Sequence, residues 1–173
     1  MDATERRRGF HNLVATSSSG MLRVSARILG DVGDAEDVVQ EAFSRVWQAM
    51  ETGELVEIGH AKTYLYRAVT NAAIDALRRR KRRAIWTRFF GEDEPETEGH
   101  ETPADVLVGL GELQVLLAEL PDEQRVALVL KDVEGWSSAE IAEARGCSEG
   151  AVEQRLVRAR ATLRQRLEGE GKP

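Results

Sequence analysis

The 173-residue chain holds one cysteine, four prolines and only 5% aromatic residues. A lone Cys147 excludes an internal disulfide and a cysteine-rich zinc site, and the scattered His11, His60 and His100 do not build another metal centre. No apolar run approaches the roughly 18 residues that span a bilayer, so membrane insertion is not expected. The basic Arg6–Arg8 is followed by His11, Asn12 and Ser17–Ser19, a poor substitute for the apolar core of a secretory signal, and the expected compartment is the cytoplasm. Hairpin signals (Asn-Gly, Asp-Gly) and long β-branched alternation are missing, which argues against strands. A Gly-rich phosphate loop, metal-ligand spacing and a Ser/His/Asp set are missing too, so neither catalysis nor a cofactor is expected.

What remains is rich in Ala, Leu, Glu and Arg, a composition that favours helices. An apolar content of 42% is enough to fold, and 31% charged is high without being that of a disordered chain. The formal net charge of -6 is unevenly placed. Residues 1–90 carry +4, residues 91–120 carry -9 and residues 121–173 carry -1. The acidity is concentrated in "GEDEPETEGHETPAD", residues 91–105, which holds two prolines, two glycines and almost nothing apolar. It reads as a flexible acidic linker or as a solvated loop without a role. No internal repeat is present. The expected organisation is all-α: a helical domain over 10–90, the linker at 91–105, and a second helical domain over 106–168.

In the first unit a short helix is expected from Leu22 to Leu29, and Asp31–Gly33 turns the chain. A second helix is expected from Asp34, with Asp34 as cap and Asp37 at the third position of a weak capping box. Ala35, Val38, Val39, Ala42, Val46, Ala49 and Met50 recur at three- and four-residue steps and form its apolar face. Asp37, Gln40, Glu41, Ser44 and Gln48 lie opposite, with Phe43 and Trp47 at the border. This is either an ordinary amphipathic helix or an acidic face edged by aromatics that docks a basic partner helix.

The third helix has a buried stripe of Ala61, Leu65, Ala68, Val69, Ala72, Ala76 and Leu77. Thr63, Arg67, Thr70, Asn71 and Arg78 share a second face flanked by Tyr64 and Tyr66. Six consecutive basic residues follow: Arg78, Arg79, Arg80, Lys81, Arg82 and Arg83. One or two cations would be enough to complement a helix C-terminus. Six, beside aromatics and amide groups, suit the grip on unpaired nucleic acid, in which bases stack and phosphates meet a positive groove. Neutralising about six phosphates would make affinity fall roughly a thousandfold between 50 and 200 mM salt.

The second unit begins a helix at Pro121, with Leu128, Val129 and Val133 apolar and Gly135 ending it. Ser137 and Glu140 form a capping box, Ile141 and Ala142 face inward, Gly146 supplies a tight turn, and Cys147 reads as a small buried hydrophobe. Ser148 caps the last helix, whose inward residues are Val152, Leu156, Ala159 and Leu163. Ala142, Gly146 and Val152 fall where a helix-turn-helix needs a small residue, a turn glycine and a core residue, although any αα-hairpin offers a similar pattern. Arg155, Arg158, Arg160, Arg164 and Arg166 give this helix a basic outer surface.

Taken together, these segments resemble bacterial RNA polymerase sigma factors of the extracytoplasmic-function (ECF) group, over roughly residues 20–83 and 106–167. "DAEDVVQEAFSRVW" looks like the family's region 2 helix that binds the polymerase β′ clamp coiled coil. "TYLYRAVTNAAIDALRRRKRR" is similar to the part that reads and melts the -10 element, and the segment from Leu120 to Leu167 looks like region 4, which reads the -35 element. The resemblance implies that Asp37, Gln40, Glu41, Phe43 and Trp47 face polymerase. It places Thr63, Arg67 and Asn71 near unpaired -10 bases and Arg78–Arg83 along the backbone. Ser148, Gly150, Ala151, Gln154, Arg155 and Arg158 would approach the -35 groove or its phosphates. Implied partners are core RNA polymerase (β′ clamp coiled coil and β flap), promoter DNA and an anti-sigma factor. The stretch of about 22 residues between the two resembling parts, 84–105, can reach up to roughly 70 Å and would span the two promoter elements, and its acidic part would weaken promiscuous DNA binding by the free protein.

Three departures from the family pattern stand out. Ser17–Gly20 replaces a stretch usually richer in aromatics, so the first helix is expected to start late. Glu153 replaces a residue that is often basic and is expected to face DNA, where it would meet a cytosine amino group or repel phosphate. Arg145 replaces an apolar residue, and its stem is expected to snorkel. Two other readings stay open on sequence alone: a stand-alone helix-turn-helix regulator that binds DNA without polymerase, and a sigma-like adaptor that titrates an anti-sigma factor.

Overall fold

A computed structural model describes residues 3–55, 58–90 and 111–170. The acidic stretch 91–105 and the expected start of the second domain at 106 lie outside the described residues. Every regular element among the described residues is helical: α1 (Ala3–Leu29), α2 (Val32–Thr52), α3 (Ile58–Phe90), α4 (Gly111–Ala118), α5 (Asp122–Leu128), α6 (Ser138–Arg145) and α7 (Glu149–Glu170).

The first three helices pack on one another as a bundle. α1 is far longer than expected, 27 residues, and runs straight through Ser17–Gly20. The polar side chains that argued for a late start turn back onto the helix: Thr16 Oγ1 donates to the Asn12 carbonyl at 2.8 Å, and Ser18 Oγ to that of Val14. Such back-bonding hides a hydroxyl without breaking the helix. The chain turns one residue earlier than the composition suggests, at Gly30 (φ 73°), a left-handed conformation that suits glycine. Asp31, not Asp34, is the N-cap of α2: its carboxylate accepts from the Asp34 amide at 2.8 Å. The apolar stripe of α2 is buried as expected. α3 is 33 residues long, about 50 Å, and its buried stripe also includes Ala73 and Ile74.

The second unit forms around α5, α6 and α7. Pro121 stands at the N-cap of α5, whose last turn widens into a π-helical turn at Val129–Val133. Gly135 (φ 72°) then lets the Trp136 amide donate to the Leu130 carbonyl at 3.0 Å. Apolar Val133 is 39% exposed, whereas Leu128 and Val129 are buried. The capping box at Ser137 and Glu140 is complete, and Gly146 (φ 61°) ends α6 in the left-handed conformation. Ser148 Oγ accepts from the Ala151 amide at 3.2 Å and so caps α7, while Val152, Leu156 and Ala159 are fully buried.

The two units share one hydrophobic core. Arg125 joins them: it is 4% exposed, and its guanidinium donates to the Ile28 carbonyl of α1 at 2.7 Å and to the Ala118 and Leu120 carbonyls at 2.9 and 3.3 Å. Burial pushes its pKa below the ordinary guanidinium value, with the Asp122 carboxylate acting in the opposite direction.

Candidate nucleic-acid and partner interfaces

Burial of the α2 stripe leaves Asp37, Gln40 and Glu41 exposed on one outward face. Glu41 pairs with Arg45 one turn on, at 2.5 Å. Phe43 and Trp47 are half-buried, because Phe10 of the unexpectedly long α1 lies against both: ring centroids are 6.2 Å from Phe43, edge to face, and 5.1 Å from Trp47. Phe10 thus belongs to this aromatic edge. Sequence reading missed it because α1 was expected to begin after it.

On α3, Thr63, Tyr64, Arg67 and Asn71 share a face. Two hollows open along it, one lined by Arg45, Glu54, Tyr64, Arg67, Ala68 and Asn71, the other by Leu55, His60, Thr63, Tyr64, Arg67 and Glu143. A ring, a guanidinium and an amide around a concavity can stack on and hydrogen-bond an unpaired base. Two residues expected on this face point elsewhere. Thr70 is fully buried and donates to the Tyr66 carbonyl at 2.8 Å. Tyr66 is 5% exposed and stacks on Trp136 of the second unit, with centroids 4.3 Å apart. Burial, reinforced by the Glu134 charge, raises the Tyr66 phenol above its ordinary pKa.

The basic run is all helical and exposed, but its members differ. Arg80 donates to the Leu29 carbonyl at 2.9 Å and completes the C-terminus of α1. Lys81 pairs with Asp122 of α5 at 2.7 Å, and Arg78 lies 3.6 Å from Asp75. Arg79, Arg82 and Arg83 stand on the same exposed segment.

On α7, Ser148, Gly150, Gln154 and Arg158 are exposed and Ala151 and Arg155 half-buried. The basic surface is partly neutralised from within. Arg155 reaches Glu123 at 3.5 Å and the Cys147 thiol at 3.4 Å, Arg160 pairs with Asp132 at 2.7 Å, and Arg166 with Glu119 at 2.6 Å. The Asp132 hydrogen bond raises the Arg160 pKa. Cys147 is half-buried rather than fully enclosed. Glu153 accepts from the Ser138 hydroxyl of α6, a local partner that the sequence did not reveal.

Arg145 departs furthest from expectation. Its side chain is 7% exposed instead of snorkelling, and its guanidinium donates to Thr70 Oγ1 at 3.0 Å, Asn71 Oδ1 at 2.5 Å and Glu123 Oε1 at 3.1 Å. The end of α6 therefore sits directly on the candidate base-binding face of α3.

Residues 13–83 match the family described as Sigma-70 region 2, and residues 110–163 match Sigma-70, region 4. The chain is 35% identical over 153 residues to the ECF RNA polymerase sigma factor SigL of Mycobacterium tuberculosis, covering 86% of this chain and 83% of SigL. The chain belongs to the ECF sigma factors. Similarity to SigG of the same species is 34% over 184 residues, 93% of this sigma factor but 49% of SigG, so the chain spans about half the length of that relative. Among solved structures, CnrH in complex with the cytosolic domain of CnrY is similar at a TM-score of 0.68 and 25% identity, over 95% of this sigma factor and 91% of CnrH. The likeness to CnrH extends across both helical units of the ECF sigma factor.

Proposed function

We propose that the chain binds core RNA polymerase as a dissociable, non-enzymatic subunit and directs promoter recognition, -10 melting and transcription initiation in the cytoplasm. The observation that carries this reading is the coexistence, in one chain, of a concave face lined by Thr63, Tyr64, Arg67 and Asn71 and a separately capped helix-turn-helix ending in α7. A duplex-reading helix and a single-strand-reading face have a joint use where one stretch of DNA is bound intact and another is opened.

In this reading Asp37, Gln40, Glu41, Phe43 and Trp47, with Phe10 beneath them, dock the β′ clamp coiled coil. Arg79, Arg82 and Arg83 follow the backbone beside the -10 bases. Ser148, Gly150, Ala151, Gln154, Arg155 and Arg158 meet the -35 element, and the β flap contacts the second unit. Linker 91–105 spans the two. The likeness to CnrH, which was solved in complex with the cytosolic domain of CnrY, supports a protein partner, and in this reading that partner is an anti-sigma factor. Among the described residues no helix is long and apolar enough to cross a membrane.

Pull-down with core polymerase followed by run-off transcription tests the proposal. Capture and promoter-dependent transcripts are expected. DNA binding without core capture would leave only a stand-alone regulator. Core or anti-sigma binding without promoter opening would favour the titrating adaptor, a reading to which Glu123 on Arg155 lends weight.

A further inference from the structure

We infer that Arg145 is an internal latch: it closes the helix-turn-helix unit onto α3, occupies Asn71, and must be released before the base-binding face can take up DNA. The inference rests on the assignment of Asn71 and Arg155 to DNA contact made above.

The local fold leaves Arg145 little choice. The Ser137–Glu140 capping box fixes the start of α6, and Gly146 (φ 61°) ends it, so its last side chain projects from the end of a rigid two-turn rod. That rod packs on α3. The guanidinium fork finds two neutral acceptors there, Thr70 Oγ1 and Asn71 Oδ1, and one carboxylate on its own side, Glu123. With one lone pair of its amide oxygen held by a cation, Asn71 has less to offer a base edge.

The same contact blocks the face in two further ways. A Cβ placed on Gly146 would lie 3.6 Å from Arg67 Nη2, so the helix-turn-helix turn rests beside Arg67 as well. Glu143 of α6 lines the hollow shared with Thr63, Tyr64 and Arg67, adding a negative charge where phosphate would approach.

Glu123 couples the two DNA surfaces. One of its oxygens holds Arg145 and the other lies 3.5 Å from Arg155 on the recognition helix. A single carboxylate thus draws back a -35 cation while it supports the cation that covers the -10 face. The surrounding contacts, Tyr66 on Trp136 and Lys81 on Asp122, belong to the same closed arrangement.

The latch is built to open. Arg145 Nε is buried without a partner among the described residues, so the guanidinium is only partly satisfied. When only a fraction of molecules is open, apparent DNA affinity falls by that fraction, and any partner that prefers the open form restores it.

The test uses the full chain without polymerase. Donor and acceptor dyes are placed at exposed Gln48→Cys and Gln165→Cys in a Cys147→Ser background, and inter-unit energy transfer is measured alongside binding of a fluorescein-labelled single-stranded 20-mer. Arg145→Ala is expected to lower transfer and to tighten oligonucleotide binding about three- to tenfold, the ratio of the open fractions of variant and unsubstituted chain. Losing a positive charge should by itself weaken binding, so this direction separates unlatching from electrostatics. Glu123→Gln, on a different helix, is expected to shift both readouts the same way and serves if Arg145→Ala does not fold. Unchanged transfer, or lower transfer without tighter binding, overturns the latch. Failure of the unsubstituted chain to capture core polymerase would instead overturn the sigma-factor role, whatever the energy transfer shows.

Discussion

Tyr66 of α3 and Trp136 of the second unit stack with ring centroids 4.3 Å apart, at an interplanar angle of 57°. Two aromatics distant in sequence therefore meet in the seam between the units, as the sequence pattern of neither segment foretold. Aromatic pairs contribute about 0.5–1.5 kcal/mol beyond the area they bury. Trp136→Ala is expected to lower stability by about 1–2 kcal/mol in urea unfolding. An unchanged midpoint would show that the seam contributes nothing to the folded ground state.

Asn71→Ala is expected to spare core capture and to impair promoter melting. A good base contact is worth about 1–3 kcal/mol, so open-complex formation should fall about tenfold or more, read by permanganate footprinting. Normal transcription by this variant would show that the α3 face is misassigned.

Trp47→Ala should weaken core binding at least about fivefold, the scale of an aromatic interface anchor. The packing adds a sharper expectation. Phe10→Ala should weaken it too, because Phe10 lies against both Phe43 and Trp47. Titration of labelled core polymerase checks both, with helicity by circular dichroism as control.

Arg155→Ala should reduce -35-dependent initiation, and full activity would count against the recognition-helix reading. Arg158 is exposed on the same helix and is expected to meet phosphate. Arg158→Ala should weaken binding to all sequences alike and lower the salt slope by about one.

Hydrogen bonds from Ser137, first its hydroxyl and then its amide, hold the Glu140 carboxyl below its ordinary pKa. A depressed folded-state value means that the ionised side chain stabilises α6 above the ordinary carboxylate range, and that this support is lost as pH falls through the folded value. Wild type should therefore be more stable than Glu140→Ala at pH 7, with the difference shrinking below about pH 4. Thermal melts across that range give the answer; a pH-independent difference would contradict it.

Local pattern made much of this fold legible. The α2 stripe, the Ser137–Glu140 box, the Gly146 turn and the Ser148 cap each depend on residues within a few positions of one another, and each stands where periodicity and capping chemistry put it. The start of α1 was hidden because serine disfavours helix interiors on average, while Ser18 here satisfies its hydroxyl on the helix itself. Asp34 was the expected cap, but the left-handed Gly30 ends α1 early enough for Asp31 to enter the next helix extended and cap it.

The site was legible residue by residue and not as an assembly. Thr70 and Tyr66 were read from helical position and Arg145 from a family pattern, and neither says what covers the face a side chain takes. Contacts spanning 75 residues, such as Arg145 to Thr70, leave no periodic trace. The partner of Glu153 stayed hidden for the same reason, since Ser138 lies on the preceding helix.

Arg125 caps two rods at once, accepting no other role: the carbonyl ends of α1 and α4 converge on its one guanidinium. If the units part, that cation stays with Ala118 and Leu120, and the Ile28 carbonyl passes to solvent. Separation there is a discrete exchange of one protein contact for water, so the molecule should toggle between two postures instead of flexing through a continuum.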